Sequence, residues 1–230
     1  VERLVARDAL GAAARGGAQP YGPLARVADQ RGGEVLALPA GFSYVTFSHT
    51  GSTMSDGNPT PLALDGMGAF HGGHKRVRLV RNSEDRNPAG VTGGLLGDRA
   101  KAYDPTGFGG TTTLVFDEAR RELVEDFVSL NGTIVNCAGG KGFRDRSWIT
   151  GEEIVTTFGR KHGYNFEVPL DRTGPAPTEP LVAMGRFAHE AVATDPASGN
   201  VYQTEDAGSG RGSGFYRYLP SNPRRLLDGG

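Results

Sequence analysis

From residue 34 onward, apolar and β-branched positions fall in short runs separated by turn formers, the pattern of strands rather than of helices. Residues 42–48 (FSYVTFS) are aromatic and β-branched, and residues 76–81 alternate Val77 and Leu79 with arginines. Residues 111–116 (TTTLVF) lead through a turn at 117–120 into residues 122–130 (ELVEDFVSL), a strand–turn–strand unit. A second such unit joins residues 190–194 to 200–204 through Asp195-Pro196-Ala197-Ser198-Gly199, where proline presets φ and glycine accepts a positive φ. Residues 164–168 and 215–219 add strands. This grammar predicts about ten short strands, at the spacing of sandwiches, barrels and propellers. The units at Asp117 and Asp195 are weakly alike and hint at propeller blades. Residues 2–15 predict a short helix, 16–33 a loop, and 54–73 a long polar loop of the kind that carries function. The expected fold is therefore all-β and β-propeller-like with a short N-terminal helix, divided into a helical or linker segment (1–20) and a β domain (21–230).

Composition narrows the class. The 36 glycines and 14 prolines are spread along the chain, which indicates many tight turns rather than disorder. A net charge of -1 argues against a nucleic-acid partner. The densest basic cluster, residues 75–78 with Arg81, alternates along a strand and reads as a solvated face. No stretch approaches the roughly 18 apolar residues of a membrane span. The chain opens on Val1 instead of Met, which predicts a trimmed chain, a fragment or an alternative start, and residues 2–15 lack the apolar core of a secretion signal.

The single cysteine, Cys137, cannot form an intrachain disulfide, so it is either a small buried hydrophobe or a ligand. It lies in Asn136-Cys137-Ala138-Gly139-Gly140, where the glycine pair would let backbone approach a ligand closely. Four other polar clusters sit at strand ends: Asn82 to Asp85, Glu152-Glu153, His189-Glu190 and Glu205-Asp206. Adjacent strand side chains face opposite ways, so only one of Glu152 and Glu153 can serve a given site. Carboxylates and amide oxygens suit calcium, whereas a thiolate suits a transition metal, so a mixed site would not hold calcium alone. The competing motifs are poorer. His71 and His74 form half a zinc site in a glycine-rich loop, the Gly-x-Gly patterns near 208–214 have no following helix, and neither a P-loop nor Gly-x-Ser-x-Gly occurs.

At these motifs the sequence resembles the PhoX-type alkaline phosphatases, bacterial proteins exported by the twin-arginine route. The matching stretches include 38–42 (LPAGF), 54–67 (MSDGNPTPLALDGM), 79–84 (LVRNSE), 103–116 (YDPTGFGGTTTLVF), 129–140 (SLNGTIVNCAGG), 148–153 (WITGEE) and 184–191 (MGRFAHEA). The resemblance implies a phosphomonoesterase on a β-propeller, with iron and calcium ions bridged by an oxo group. It implies Cys137, Glu153 and Glu190 as metal ligands, Glu84, Glu205 and Asp206 as further calcium ligands, and Asn82 as a catalytic residue near the substrate phosphate. It also implies a small phosphate ester as substrate and a periplasmic or extracellular location. Two stretches depart from the family pattern: Ser83 stands where a histidine is usual, and residues 141–146 (KGFRDR) replace its Thr-Pro-Trp-Gly segment. Family members run on past the point matching Leu219, and their later portion supplies further acidic ligands and a phosphate-binding arginine, so the chain is expected to be an N-terminal portion with an incomplete propeller and an incomplete site. The alternatives are a calcium-dependent propeller hydrolase of lactones or phosphotriesters, with Cys137 as core filler, and a non-catalytic binding module. Oligomeric state is not legible.

Overall fold

The computed structural model describes residues 21–86, 94–95, 97–157, 159–175, 178–208, 210 and 212–230. The helix expected at 2–15 lies outside the described residues. The chain forms two compact units, one ending at Phe47 and one starting at Ser48. In the first, β1 (Ala25–Val27) and β2 (Leu36–Leu38) form an antiparallel pair. The run at 42–48, expected as a strand, joins no ladder. Side chains take over its polar groups: Gln30 brackets the Thr46 amide and carbonyl, and the Tyr44 hydroxyl donates to Val27 O or Gly33 O at 2.9 Å.

The second unit is a succession of antiparallel meanders. The first contains β3 (Leu64–His71), β4 (Arg76–Ser83), β5 (Gly109–Asp117) and β6 (Glu122–Thr133), paired in sequence order. The second contains β7 (Asn136–Lys141) and β8 (Ser147–Glu152); after a small pair, β9 (Thr156–Thr157) and β10 (Lys161–His162), it is completed by β11 (Asn165–Pro169) on the far side of β8. The third contains β12 (His189–Thr194), β13 (Val201–Glu205) and β14 (Phe215–Tyr218). The architecture is all-β, and the described strands do not close a ring.

The opening strands of the three meanders lie together, with β7 packed against both β3 and β12. Strand alternation in β8 explains how the middle meander joins its neighbours. Trp148 enters a core with Phe70, Val80, Leu130 and Phe166, while Ile149 enters another with Leu181, Met184, Val201 and Tyr218. One strand thus supplies apolar contacts to both cores.

The expected loop at 54–73 needs correction, because its second half is β3. Gly66 and Gly68 weaken the strand signal in the sequence, and the packing requires both. A Cβ on Gly66 would lie 2.8 Å from Cys137 O, and one on Gly68 would lie 2.7 Å from the Trp148 ring. Glycine lets the second meander settle directly on β3.

Candidate metal centre

Cys137 is the second residue of β7, and the chain holds that strand start from several sides. Val135, just before it, has φ 52°, a left-handed conformation that a β-branched residue adopts at a cost of about 1–3 kcal/mol. Its amide donates to Asp85 O at 2.9 Å, and its carbonyl accepts from Glu153 N at 2.8 Å. Asn136 donates to Thr150 Oγ1 at 3.0 Å and accepts from Thr133 Oγ1 at 2.5 Å. The β7–β8 register then shifts between Asn136 and Gly139, the interval that contains Cys137.

Asn82 lies beneath this strand, fully buried. Its amide donates to Cys137 O at 3.0 Å and Ala138 O at 2.8 Å, and its carbonyl accepts from Trp148 Nε1 at 2.9 Å. The side chain expected to meet the substrate phosphate is thereby committed to holding the cysteine's backbone.

Gly139 and Gly140 have a different use from the close ligand approach expected of them. A Cβ on Gly140 would stand 2.0 Å from Val192 O, and one on Gly139 2.1 Å from Ile149 O. The pair admits neighbouring strands, and the approach of β12 brings Glu190 to the thiol. Cys137 Sγ is 3.5 Å from Glu190 Oε1 and 3.8 Å from Oε2.

Two groups of donor atoms share Cys137: Asp65 with Glu84, and Glu153 with Glu190. Within each group the ligand atoms lie within 4.8 Å of one another. The expected trio Cys137, Glu153 and Glu190 is thus brought together, and Glu84 joins the thiol with Asp65 in the second group. Asp65 was missed, because it falls in the stretch read as loop. The segment at 141–146, which departs from the family pattern, is a turn at the far end of the β7–β8 hairpin, closed by Gly142 N to Ser147 O at 2.8 Å.

The positions follow a rule. Asp65, Cys137 and Glu190 are each the second residue of a meander's first strand. Glu84, Glu153 and Asp206 each follow directly on a meander's second strand. Each of the latter three donates its amide to the residue just before the first strand: Glu84 to Ala63 O at 2.7 Å, Glu153 to Val135 O at 2.8 Å and Asp206 to Ala188 O at 3.0 Å. Asp206 lies outside the two tight groups, although its charge reaches Glu190. Glu205 is drawn away: its Oε2 accepts from Gly214 N at 3.0 Å and from the Tyr216 hydroxyl at 2.7 Å.

The electrostatics are those of a donor set short of positive charge. Burial, then the charges of Asp65, Glu190, Glu153 and Glu84, push the Cys137 thiol far up and keep it protonated. Burial and a hydrogen bond with Asp65 push Glu84 up to about 7. Burial, with Glu153, Asp206 and Asp65 adding to it, raises Glu190 despite its bond to the thiol. A bound cation would reverse each shift, and mixed thiolate and carboxylate donors fit a transition metal beside a harder ion. The donor set therefore fits a multinuclear metal group.

The neighbours of these acids turn inward. Glu152, fully buried, accepts from Ile134 N at 3.1 Å, Gly163 N at 2.8 Å and Tyr164 N at 3.2 Å, while Glu153 faces the thiol. His189 points into the core, accepting from Asn165 Nδ2 at 3.0 Å; burial holds its ring neutral, with a pKa near 4. It is not a proton-transfer partner of Glu190.

An all-β chain of stacked meanders, with carboxylates and one thiol converging at their inner strands, defines a candidate metalloprotein. The chain belongs to the PhoX family of alkaline phosphatases: the family described as Alkaline phosphatase PhoX matches residues 19–230. That family is metal-dependent. A comparison with curated proteins gives no match.

Proposed function

We propose that this chain is a metal-dependent phosphomonoesterase whose ions are held by two donor groups that share Cys137, one with Glu153 and Glu190 and one with Asp65 and Glu84. The observation that carries the reading is the sharing of Cys137 between two acidic groups from separate meanders. Iron suits the shared thiolate, and calcium suits the carboxylate oxygens around it. When bound, such ions neutralise phosphate charge and supply an activated nucleophile. The chain's own residues hold the donors in place. Asn82 and Trp148 fix the Cys137 strand, Val135 couples it to Glu153, and the glycine pair seats Glu190. Asn82 is on this reading a positioning residue. The substrate class is a small phosphate ester, the phosphatase domain runs from residue 21 to 230, and the family's export route supports a periplasmic or extracellular location.

Elemental analysis of the purified protein, with p-nitrophenyl phosphate turnover, tests the reading. We expect iron and calcium together, and Cys137→Ser should lose iron and more than about 100-fold in activity, the scale of losing a metal-activated step. Protein without either metal, or full activity in Cys137→Ser, would overturn it. Calcium without iron would point instead to the oxygen-ligand hydrolase.

A further inference from the structure

Arg86 stands two residues beyond Glu84 and places its guanidinium between two carboxylates from different meanders. Nη2 pairs closely with Glu84 Oε1 and lies 3.1 Å from Glu153 Oε2. Glu84 belongs to one donor group around Cys137 and Glu153 to the other, so a single cation spans both. The arginine side chain is 64% exposed, against 20% and 17% for its partners. The charge therefore reaches in from solvent over half-buried acids. Among the described residues it is the one cation with an ion pair to this cluster.

The same oxygens cannot serve a guanidinium and a metal ion together. A metal ion carries more charge at shorter range and can take the thiolate as well, which Arg86 does not. We propose that Arg86 is the built-in counter-ion of the metal-free site: it holds Glu84 and Glu153 near each other until metal arrives, and metal displaces it. The inference rests on the proposed metal centre. Two opposing effects decide its consequence for affinity. Removing Arg86 removes a competitor for the carboxylates, and it also removes an ordering contact. The backbones of both glutamates are already pinned, by Glu84 N to Ala63 O at 2.7 Å and Glu153 N to Val135 O at 2.8 Å. Little order is lost, so competition wins.

The test is calcium binding, by titration calorimetry and equilibrium dialysis, to chelator-stripped wild type, Arg86→Ala and Arg86→Lys. Arg86→Ala should bind calcium about three- to tenfold more tightly, the scale of releasing one or two partly exposed ion pairs, while its metal-free form melts at a lower temperature. Arg86→Lys, which keeps the charge, should stay close to wild type in both. If wild type and Arg86→Ala bind calcium equally, or the alanine variant binds more weakly, the counter-ion role is wrong and the metal centre stands. If no form binds calcium, the metal centre and this inference fail together.

Discussion

At the scale of single residues, a buried cluster of ionisable groups adjoins the candidate site through Glu152, the neighbour of Glu153. His162 is fully buried between Glu152 and Asp104: Nδ1 is 2.7 Å from Glu152 Oε1 and Nε2 is 3.2 Å from Asp104 Oδ2. Tyr103 meets its ring edge-on. Burial works against the imidazolium, but the Glu152 hydrogen bond and charge, then those of Asp104, outweigh it and raise the histidine above its ordinary value. Burial alone would raise Asp104, yet hydrogen bonds from Thr106, His162 and Arg160 hold it at about 2. The histidine's contribution is full below the ordinary histidine pKa of about 6.5 and is lost as pH rises through its higher folded value. The aspartate's is full above about 3.9 and is lost only as pH falls towards 2. His162→Gln leaves Glu152 and Asp104 without their shared cation, which should cost about 3–5 kcal/mol at pH 6. Denaturant unfolding across pH 6 to 9 checks this: wild type should lose stability towards alkaline pH, and the variant should start lower and lose less. A parallel decline in both proteins would show that the imidazolium is not the stabilising group.

At the scale of elements, the glycines of β7 decide where the ligands meet. Gly140→Ala would set a methyl carbon 2.0 Å from Val192 O, and that atom is backbone, so β12 must move as a strand. Glu190 moves with it and leaves the thiol. The expected outcome is loss of metal stoichiometry together with a stability loss of about 1–3 kcal/mol. Gly174→Ala, with nothing within 4 Å of the new carbon, should change neither. Elemental analysis and thermal melts of the two variants separate the cases, and a Gly140→Ala protein with full metal content would show that β12 approaches without help from the glycine. The sequence conveyed the strands on either side of this junction well. β4, the β5–β6 hairpin, β11, β12, β13 and β14 all stand where alternation and turn chemistry put them. It failed at β3 for the reason that makes β3 useful: Gly66 and Gly68 erase the strand signal so that another meander can lie on it. At residues 42–48 the error ran the other way, since β-branched and aromatic residues gave a strand signal that side-chain hydrogen bonds override.

At the scale of the whole second unit, the internal repetition is real, but it is not the one the sequence suggested. The alike turns at Asp117 and Asp195 join non-equivalent strands, β5 to β6 in one meander and β12 to β13 in another. The true correspondence is between ligand positions, Asp65 with Cys137 and Glu190, and Glu84 with Glu153 and Asp206. No shared residue type marks it, because aspartate, cysteine and glutamate can all be donors; what is common is position in the meander and, for Glu84, Glu153 and Asp206, the backbone bond to the residue before the first strand. The correspondence separates two neighbouring acids that composition treats alike. Asp206 occupies the third meander's donor position, whereas Glu205 closes the β13–β14 connection through Gly214 and Tyr216. Asp206→Asn should therefore weaken metal binding severalfold with no fall in metal-free stability, since it removes a charge that raises Glu190. Glu205→Gln should leave metal affinity near wild type and lower stability by about 1 kcal/mol through weakened hydrogen bonds. Calcium titration and chemical denaturation of both variants check the assignment. If Glu205→Gln proves to be the variant that loses metal, the three meanders do not contribute donors by one rule, and Glu84 and Glu153 would have to be explained separately.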